Sequence, residues 1–242
     1  MNIFVAGATG VIGRPLVTLL VRAGHTVTGS TRSAAKAADI SALGATSAIV
    51  DAFDAAALMQ AVAAARPQVV IHQLTDLPDS SDPAGMAASR TRNSRLRIEG
   101  TANLVAAAKT AGAKRLIAQS IAFIYAQGPM PHHETDPLIS GEGDSPDAIS
   151  ARGVHALEAA VTGAAGLEGI VLRYGRLYGP GTWFAKPGGP GPLTTDAAAQ
   201  AALLAVSRGA PGIYNIAEDD GAVSIEKARR ELGFDPGFRL DT

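Results

Sequence analysis

Short apolar runs alternate along this chain with longer stretches in which apolar residues recur every three or four positions. Ile3, Phe4 and Val5 form a run that Gly7 stops, the pattern of a buried strand. Residues 11–23 follow helical spacing, with Val11, Ile12, Leu16, Leu19 and Leu20 apolar and Gly24 at the stop. Further strands are expected at 25–28, 48–50, 69–71, 116–118, 169–172 and 212–216. Helices are expected at 55–65, 86–111, 149–165, 196–207 and 224–232. Strands alternating with helices of this length imply βαβ units, a parallel sheet and right-handed crossovers, with helices on both faces. No fixed-period repeat is present, which argues against a solenoid. Residues 175–193 are dense in glycine and proline and read as a loop or lid. We therefore expect a doubly wound α/β domain over 1–173. The rest, 174–242, should be a small substrate-side lobe packed on the sheet, too small to fold alone.

Composition narrows the function classes. The 242 residues are 47% apolar and 18% charged, enough for a sizeable core. Lysine and arginine number 21 against 22 acidic residues, a net charge of −1, so no global basic field attracts nucleic acid or an anionic membrane. The absence of cysteine excludes disulfides, cysteine metal sites and thiol catalysis. Met1 leads straight into Ile3 with no basic leader, and the longest candidate span, near Leu16 and Val21, is flanked by Arg14 and Arg22. A cytoplasmic protein without membrane or nucleic-acid partners, acting on a small molecule, is the expectation.

The turn after the first strand carries the chemistry. Gly7, Thr9, Gly10, Val11, Ile12 and Gly13 lie between a strand and a helix. Glycine is needed there for unusual backbone angles, for close approach of a pyrophosphate, and for tight helix–strand packing. The helix start offers free N–H groups and a positive dipole end. This is the setting of a dinucleotide fingerprint, and the fold is expected to be of Rossmann type. At the end of the second strand an acidic residue would grip the ribose of NAD(H). Arg32 stands there instead, and its planar fork suits a 2′-phosphate, favouring NADP(H) over NAD(H). Asp51, after the third strand, is placed either to meet the adenine or to cap the next helix.

At this point the chain resembles the extended short-chain dehydrogenase/reductases, in particular the NAD-dependent epimerase/dehydratase group. The resemblance rests on the glycine turn, Asp51, Val70-Ile71-His72, Glu99-Gly100-Thr101-Ala102-Asn103-Leu104, and Ala118-Gln119-Ser120 through to Tyr125. It continues through Leu172-Arg173-Tyr174, Tyr178-Gly179-Pro180-Gly181 and Asn215-Ile216. It implies hydride chemistry at a hydroxyl or carbonyl carbon. It also implies that Ala52, Gln73, Leu74, Thr75 and Tyr174 line the cofactor groove. In that family a Tyr-x-x-x-Lys pair works on the helix after the fifth strand. The tyrosine is the general acid/base, and the lysine holds the nicotinamide ribose and lowers the tyrosine pKa from about 10. Aligned on Glu158, those two positions are Ser150 and Val154, and no Tyr-x-x-x-Lys occurs anywhere. The usual active-site Ser or Thr falls on Ile121, one place after Ser120. The Asn that opens the family's Asn-Val-x-Gly-Thr run is Arg97.

Ser120 and Tyr125 are the substitute catalytic candidates, each with a structural alternative. His155 sits one residue past the lysine position and so points about 100° away from it around the helix. His132 and His133 have no third ligand at metal spacing, and no metal is expected. Trp183 and Phe184 would either cap an apolar substrate or anchor their loop. Only about a dozen residues separate the Tyr-Gly-Pro-Gly turn from Thr194, too few for a deep nucleotide-sugar pocket. The expected function is an atypical NADP(H)-dependent oxidoreductase on a small carbonyl or alcohol. The alternatives are a non-catalytic NADP-binding sensor or regulator and a redox-neutral epimerase, lyase or cyclase. The helix from 151 to 165, rich in Ala and Val, suits a homodimer contact as well as burial within the monomer.

Overall fold

The computed structural model describes residues 1–78 and 83–240. In chain order the elements are β1 (Asn2–Ala6), α1 (Gly13–Arg22), β2 (Thr26–Thr31), α2 (Ala34–Ala42), β3 (Thr46–Ile49), α3 (Ala55–Ala65), β4 (Val69–His72) and α4 (Pro83–Arg95). A π-helical turn (Leu96–Gly100) follows, then α5 (Thr101–Thr110), β5 (Arg115–Ile121), α6 (Pro146–Thr162) and β6 (Glu168–Tyr174). The chain ends with β7 (Arg176–Tyr178), β8 (Pro192–Thr194), α7 (Thr195–Ala205), β9 (Gly212–Ile216) and α8 (Glu226–Leu232).

Seven strands form one parallel sheet in the order β3-β2-β1-β4-β5-β6-β9. The order reverses between β1 and β4, where open α/β sheets bind ligands beyond the strand ends. Alternate residues of each strand feed two cores. Ile3, Val5 and Ile71 pack with Leu16, Leu20 and the alanines of α7 on one face. Phe4, Val70 and Leu116 pack with Leu58, Leu104 and Leu157 on the other. Helix α7 is buried almost all round, and alanine at 197, 198, 199, 201, 202 and 205 lets it lie close to the sheet and to α1. The segment after residue 173 therefore supplies β9 to the main sheet and α7 to one of its faces, and only β7–β8 forms a separate small ribbon.

The β7–β8 ribbon lies where the sequence reads as a loop, because its three-residue strands are too short to give a periodic signal. Three further features differ from the sequence expectation. The helix expected over 86–111 is interrupted by the π turn, where Gly100 packs against Leu96 and Ala52; a Cβ on Gly100 would lie 2.8 Å from Leu96 Cδ1. Helix α2 was not expected, because it buries only Ile40 and so shows little periodicity. The cap of α3 is Asp54, which accepts from Ala57 N at 3.0 Å, and not Asp51. Asp51 instead accepts from Phe53 N at 2.9 Å in the turn just before.

Candidate functional site

The glycine turn is built by close backbone approach. Gly7 has φ +87°, and a Cβ there would sit 2.6 Å from Gln73 O at the end of β4. A Cβ on Gly13 would lie 2.1 Å from Gly7 O, so both positions require glycine. A Cβ on Gly10 would meet only Gly7 O, at 3.4 Å, so packing does not force glycine there as it does at Gly7 and Gly13. Ala8 N donates to Ser30 O at 3.1 Å, which hangs the turn on β2. Thr9 Oγ1 lies 3.5 Å from Thr31 Oγ1. Helix α1 begins without a side-chain cap at Ile12, which leaves its positive end available to an anion. Ile12 is buried in the core while Val11 is partly exposed at the mouth. A cleft of about 470 Å³ opens over the turn, lined by Thr9, Gly10, Val11 and Arg14 from one side and by Pro180 and Gly181 from the other.

At the β2 end, Arg32 is exposed and its Nη2 lies 3.8 Å from Asp76 Oδ1. Arg92 Nε approaches the other oxygen of Asp76 at 3.3 Å. Asp51 is exposed at the end of β3, and Ala52 beside it is buried, its carbonyl accepting from Asn103 Nδ2 at 2.9 Å.

At the β4 end, Gln73 is buried and its Nε2 donates to Tyr174 OH at 3.2 Å. Its Oε1 has no partner, the one such buried side-chain atom among the described residues. Burial pushes the Tyr174 hydroxyl well above the usual tyrosine range. Leu74 is half-buried and Thr75 is exposed. His72 beneath them is held neutral, its pKa pushed down to about 4 by burial and by the nearby Arg97 charge. Its Nε2 lies 3.0 Å from Thr101 Oγ1, and its Nδ1 accepts from Leu74 N at 3.2 Å.

The positions that the family resemblance gives to tyrosine and lysine are chemically silent. Ser150 Oγ donates to its own helix at Pro146 O, 3.0 Å away. Val154 is fully buried in a small cluster with Ile124 and Ala151. His155 binds Ile139 O at 3.0 Å.

Ser120 and Tyr125 come together in one buried ionic network. Arg173 forms a two-pronged pair with Glu158, at 2.9 Å from Nε to Oε1 and 2.7 Å from Nη2 to Oε2. Ser120 Oγ donates to Glu158 Oε1 at 2.8 Å. Arg173 Nη1 donates to Tyr125 OH at 2.8 Å, and that hydroxyl donates to Asn215 Oδ1 at 2.7 Å. Burial raises the Tyr125 pKa further from neutrality. Both hydroxyls are thus committed to partners that fix the end of the sheet. His132 stacks on the Tyr125 ring at 4.8 Å, while His133 is exposed in the same loop. Sequence reasoning used Glu158 only as an alignment anchor and missed this network. The available signal was a charged residue at 158 and at 173, each within an apolar stretch.

The Gly/Pro-rich loop roofs the cleft. At one end a Cβ on Gly181 would lie 3.4 Å from Val11 Cγ1. At the other, Trp183 Nε1 donates to Pro78 O at 3.2 Å, which anchors the loop to the segment after β4. Phe184 is exposed. Tyr178 OH donates to Glu218 Oε1 at 2.6 Å. A second cavity, of about 200 Å³, lies beyond β5 and β6, lined by Phe123, Tyr125, Met130, Arg176, Pro190 and Val223. Arg176 lies over the Phe123 ring, 4.6 Å from its centroid.

A nicotinamide dinucleotide fits these features. The glycine cradle admits a pyrophosphate where side chains are excluded, and Gln73 Oε1 is a buried acceptor awaiting a donor.

Comparison with known proteins gives three findings. Residues 3–212 match the NAD dependent epimerase/dehydratase family. A 3-diazoavenalumate denitrifying reductase from Streptomyces is 43% identical over 246 residues, covering 93% of this chain and 79% of the relative. Among solved structures, UDP-glucose 4-epimerase from Thermotoga maritima aligns over 99% of this chain and 94% of its own, with TM-score 0.80 and 20% identity. Yeast methylglyoxal/isovaleraldehyde reductase, solved with NADPH, aligns over 97% and 94%, with TM-score 0.77 and 17% identity. At such identities the two structures speak for the fold.

Proposed function

Because the chain belongs to the NAD-dependent epimerase/dehydratase family, we propose that it is an NADPH-dependent reductase of small diazo compounds. The observation that carries this is a mismatch. The dinucleotide cradle is intact, while the proton-donor positions hold Ser150 and Val154 and the nearby hydroxyls of Ser120 and Tyr125 are locked in a structural network. Reducing a carbonyl requires a proton for the new hydroxyl, and a positioned acid is worth about 10² to 10⁴ in rate. A diazonium carbon requires none.

When bound, the reduced nicotinamide supplies a hydride. In the balance R–N₂⁺ + NADPH → R–H + N₂ + NADP⁺, a C–H bond forms, the C–N bond breaks, and N₂ leaves with the C–N electron pair. No proton is consumed, so the missing acid costs nothing. The Streptomyces relative is named for a denitrifying reduction of a diazo compound, which supports the same class here. The residues that would hold the cofactor are Gly7, Thr9, Gly10, Val11, Ile12 and Gly13 at the pyrophosphate. Arg32, Asp51 and Ala52 would serve the adenosine half, and Gln73, Leu74, Thr75 and Tyr174 the other. The exposed guanidinium of Arg32 supports a 2′-phosphate and so NADPH. The second cavity, apolar with Arg176 at its rim, suits a small ring-bearing acid.

The test is to mix the protein with NADPH and 3-diazoavenalumate and follow reduced-nicotinamide absorbance and N₂ together. One N₂ per NADPH consumed is expected. Oxidation of NADPH only with aldehydes or ketones would overturn the diazo reading in favour of a carbonyl reductase. Product without net NADPH loss would indicate a redox-neutral enzyme, and binding without turnover a regulator. Arg32→Ala should weaken NADPH by about tenfold and leave NADH unchanged.

A further inference from the structure

Of the arginines of its segment, Arg92 pairs with Asp76 and Arg95 with Glu99, while the side chains of Arg90 on α4 and of Arg97 in the middle of the π turn make no hydrogen bond and no ion pair among the described residues. Arg97 is half-buried, and desolvation pulls its pKa down to about 10, so it remains a cation at neutral pH.

Its surroundings look arranged to receive it and do not satisfy it. The side chain crosses α6 at Gly153, where a Cβ would lie 3.3 Å from Arg97 Cδ and 2.8 Å from Ser94 Cα. Any larger residue there would displace the guanidinium stem or the helix. Glu158 attracts Arg97, yet both oxygens of that carboxylate are already bonded to Arg173, and one also to Ser120. His72, at the end of β4, is neutral and its two ring nitrogens are engaged by Thr101 and Leu74. No protein acceptor holds its guanidinium nitrogens, which stay within reach of water or of a ligand. The neighbouring residue on α6 is Val154, where the family resemblance puts a lysine.

We propose that Arg97 is a cofactor-binding residue: it supplies, from the π turn, the cation that α6 lacks, and it donates to the hydroxyls of the nicotinamide ribose. The fork of a guanidinium can reach two vicinal hydroxyl oxygens at once. The two departures from the family pattern, Asn to Arg97 and Lys to Val154, are then one exchange of a charge between adjacent elements. Gly153 is the residue that makes the exchange sterically possible.

The inference rests on the dinucleotide reading, and the test separates the two. Titration calorimetry would compare NADPH with adenosine 2′,5′-bisphosphate, which lacks the nicotinamide ribose, on the full chain and on Arg97→Gln and Arg97→Lys. Arg97→Gln should weaken NADPH by about tenfold or more and leave the bisphosphate within about twofold. Arg97→Lys should stay close to the unaltered protein, and the double change R97Q/V154K should recover NADPH affinity. Equal NADPH binding by the unaltered chain and Arg97→Gln, with unchanged melting, would overturn the inference and leave the dinucleotide reading standing. So would an equal loss for both ligands. No NADPH binding by the unaltered chain would overturn both. Should Arg97→Gln melt early, the ratio of its affinities for NADPH and the bisphosphate decides, because a loss of folded protein weakens both ligands alike while a lost ribose contact weakens only NADPH.

Discussion

The Arg173–Glu158 pair shows how a charged residue can belong to the scaffold and still sit beside the chemistry. Both side chains are nearly buried, and every oxygen of the carboxylate is bonded. Removing one partner strands the other charge, which costs about 3–5 kcal/mol. Glu158→Ala should therefore lower the melting temperature by about 10 °C, read by calorimetry. Ser120→Ala removes one charge-assisted hydrogen bond and should cost about 1–3 kcal/mol while leaving turnover largely intact. A collapse of turnover at unchanged stability would instead make Ser120 the proton donor. His72 provides a pH signature. Its folded pKa of about 4 lies below the ordinary histidine value of 6.5, so between these pH values the unfolded chain binds a proton that the folded chain refuses. Stability from this group is present above pH 6.5 and is lost as pH falls toward 4, with a slope of up to about 1.4 kcal/mol per unit. Urea midpoints at pH 7 and pH 5 should differ less for His72→Asn than for the unaltered protein. An identical gap would mean that His72 is not the group.

Among the elements, the roof loop and the π turn do what their local sequences do not announce. The loop meets Val11 at one end and Pro78 at the other, so it spans the cleft at the switch point. Trp183→Phe keeps the ring and removes one hydrogen bond of about 0.5–1.5 kcal/mol. NADPH dissociation should speed by about two- to tenfold in stopped flow, with melting nearly unchanged; equal dissociation rates would make the loop a spectator. The π turn places Arg97 against Gly153. In an uninterrupted α-helix each residue advances by about 100°, and a single wider turn resets that phase for everything after it. A periodicity reading that runs one helix across 86–111 carries the wrong face past Gly100. The capping of α3 by Asp54 belongs to the same scale: two acidic residues, Asp51 and Asp54, precede the helix, and only the backbone geometry selects one.

For the whole molecule, the strand order of the seven-stranded sheet reverses between β1 and β4, beside the glycine turn, and a dinucleotide that binds only the folded chain there adds to its stability by mass action. The glycine turn joins α1 to β2 and to the end of β4, so a ligand seated there holds three elements together. NADPH at a hundredfold excess over its Kd should add about 2.7 kcal/mol, a rise of about 5–10 °C in melting temperature, and NADH at the same concentration less. No rise with either nucleotide would count against the dinucleotide reading.

The strands of the main sheet, their parallel pairing and the glycine turn were legible in the amino-acid sequence, while the short β7–β8 ribbon was not. Buried runs such as Ile3-Phe4-Val5 and a glycine forced by backbone contact are local necessities. The absence of a Tyr-Lys pair was legible for the same reason, since it is a matter of which residues are present. Only the tertiary structure decided what stands in their place. Glu158 meets Ser120 and Arg173, Trp183 reaches Pro78, and Arg97 crosses Gly153 because helices and loops distant in sequence pack side by side. The direction of a side chain across such a contact depends on the phase of both elements, and a local pattern of hydrophobic and polar residues holds the phase of only one.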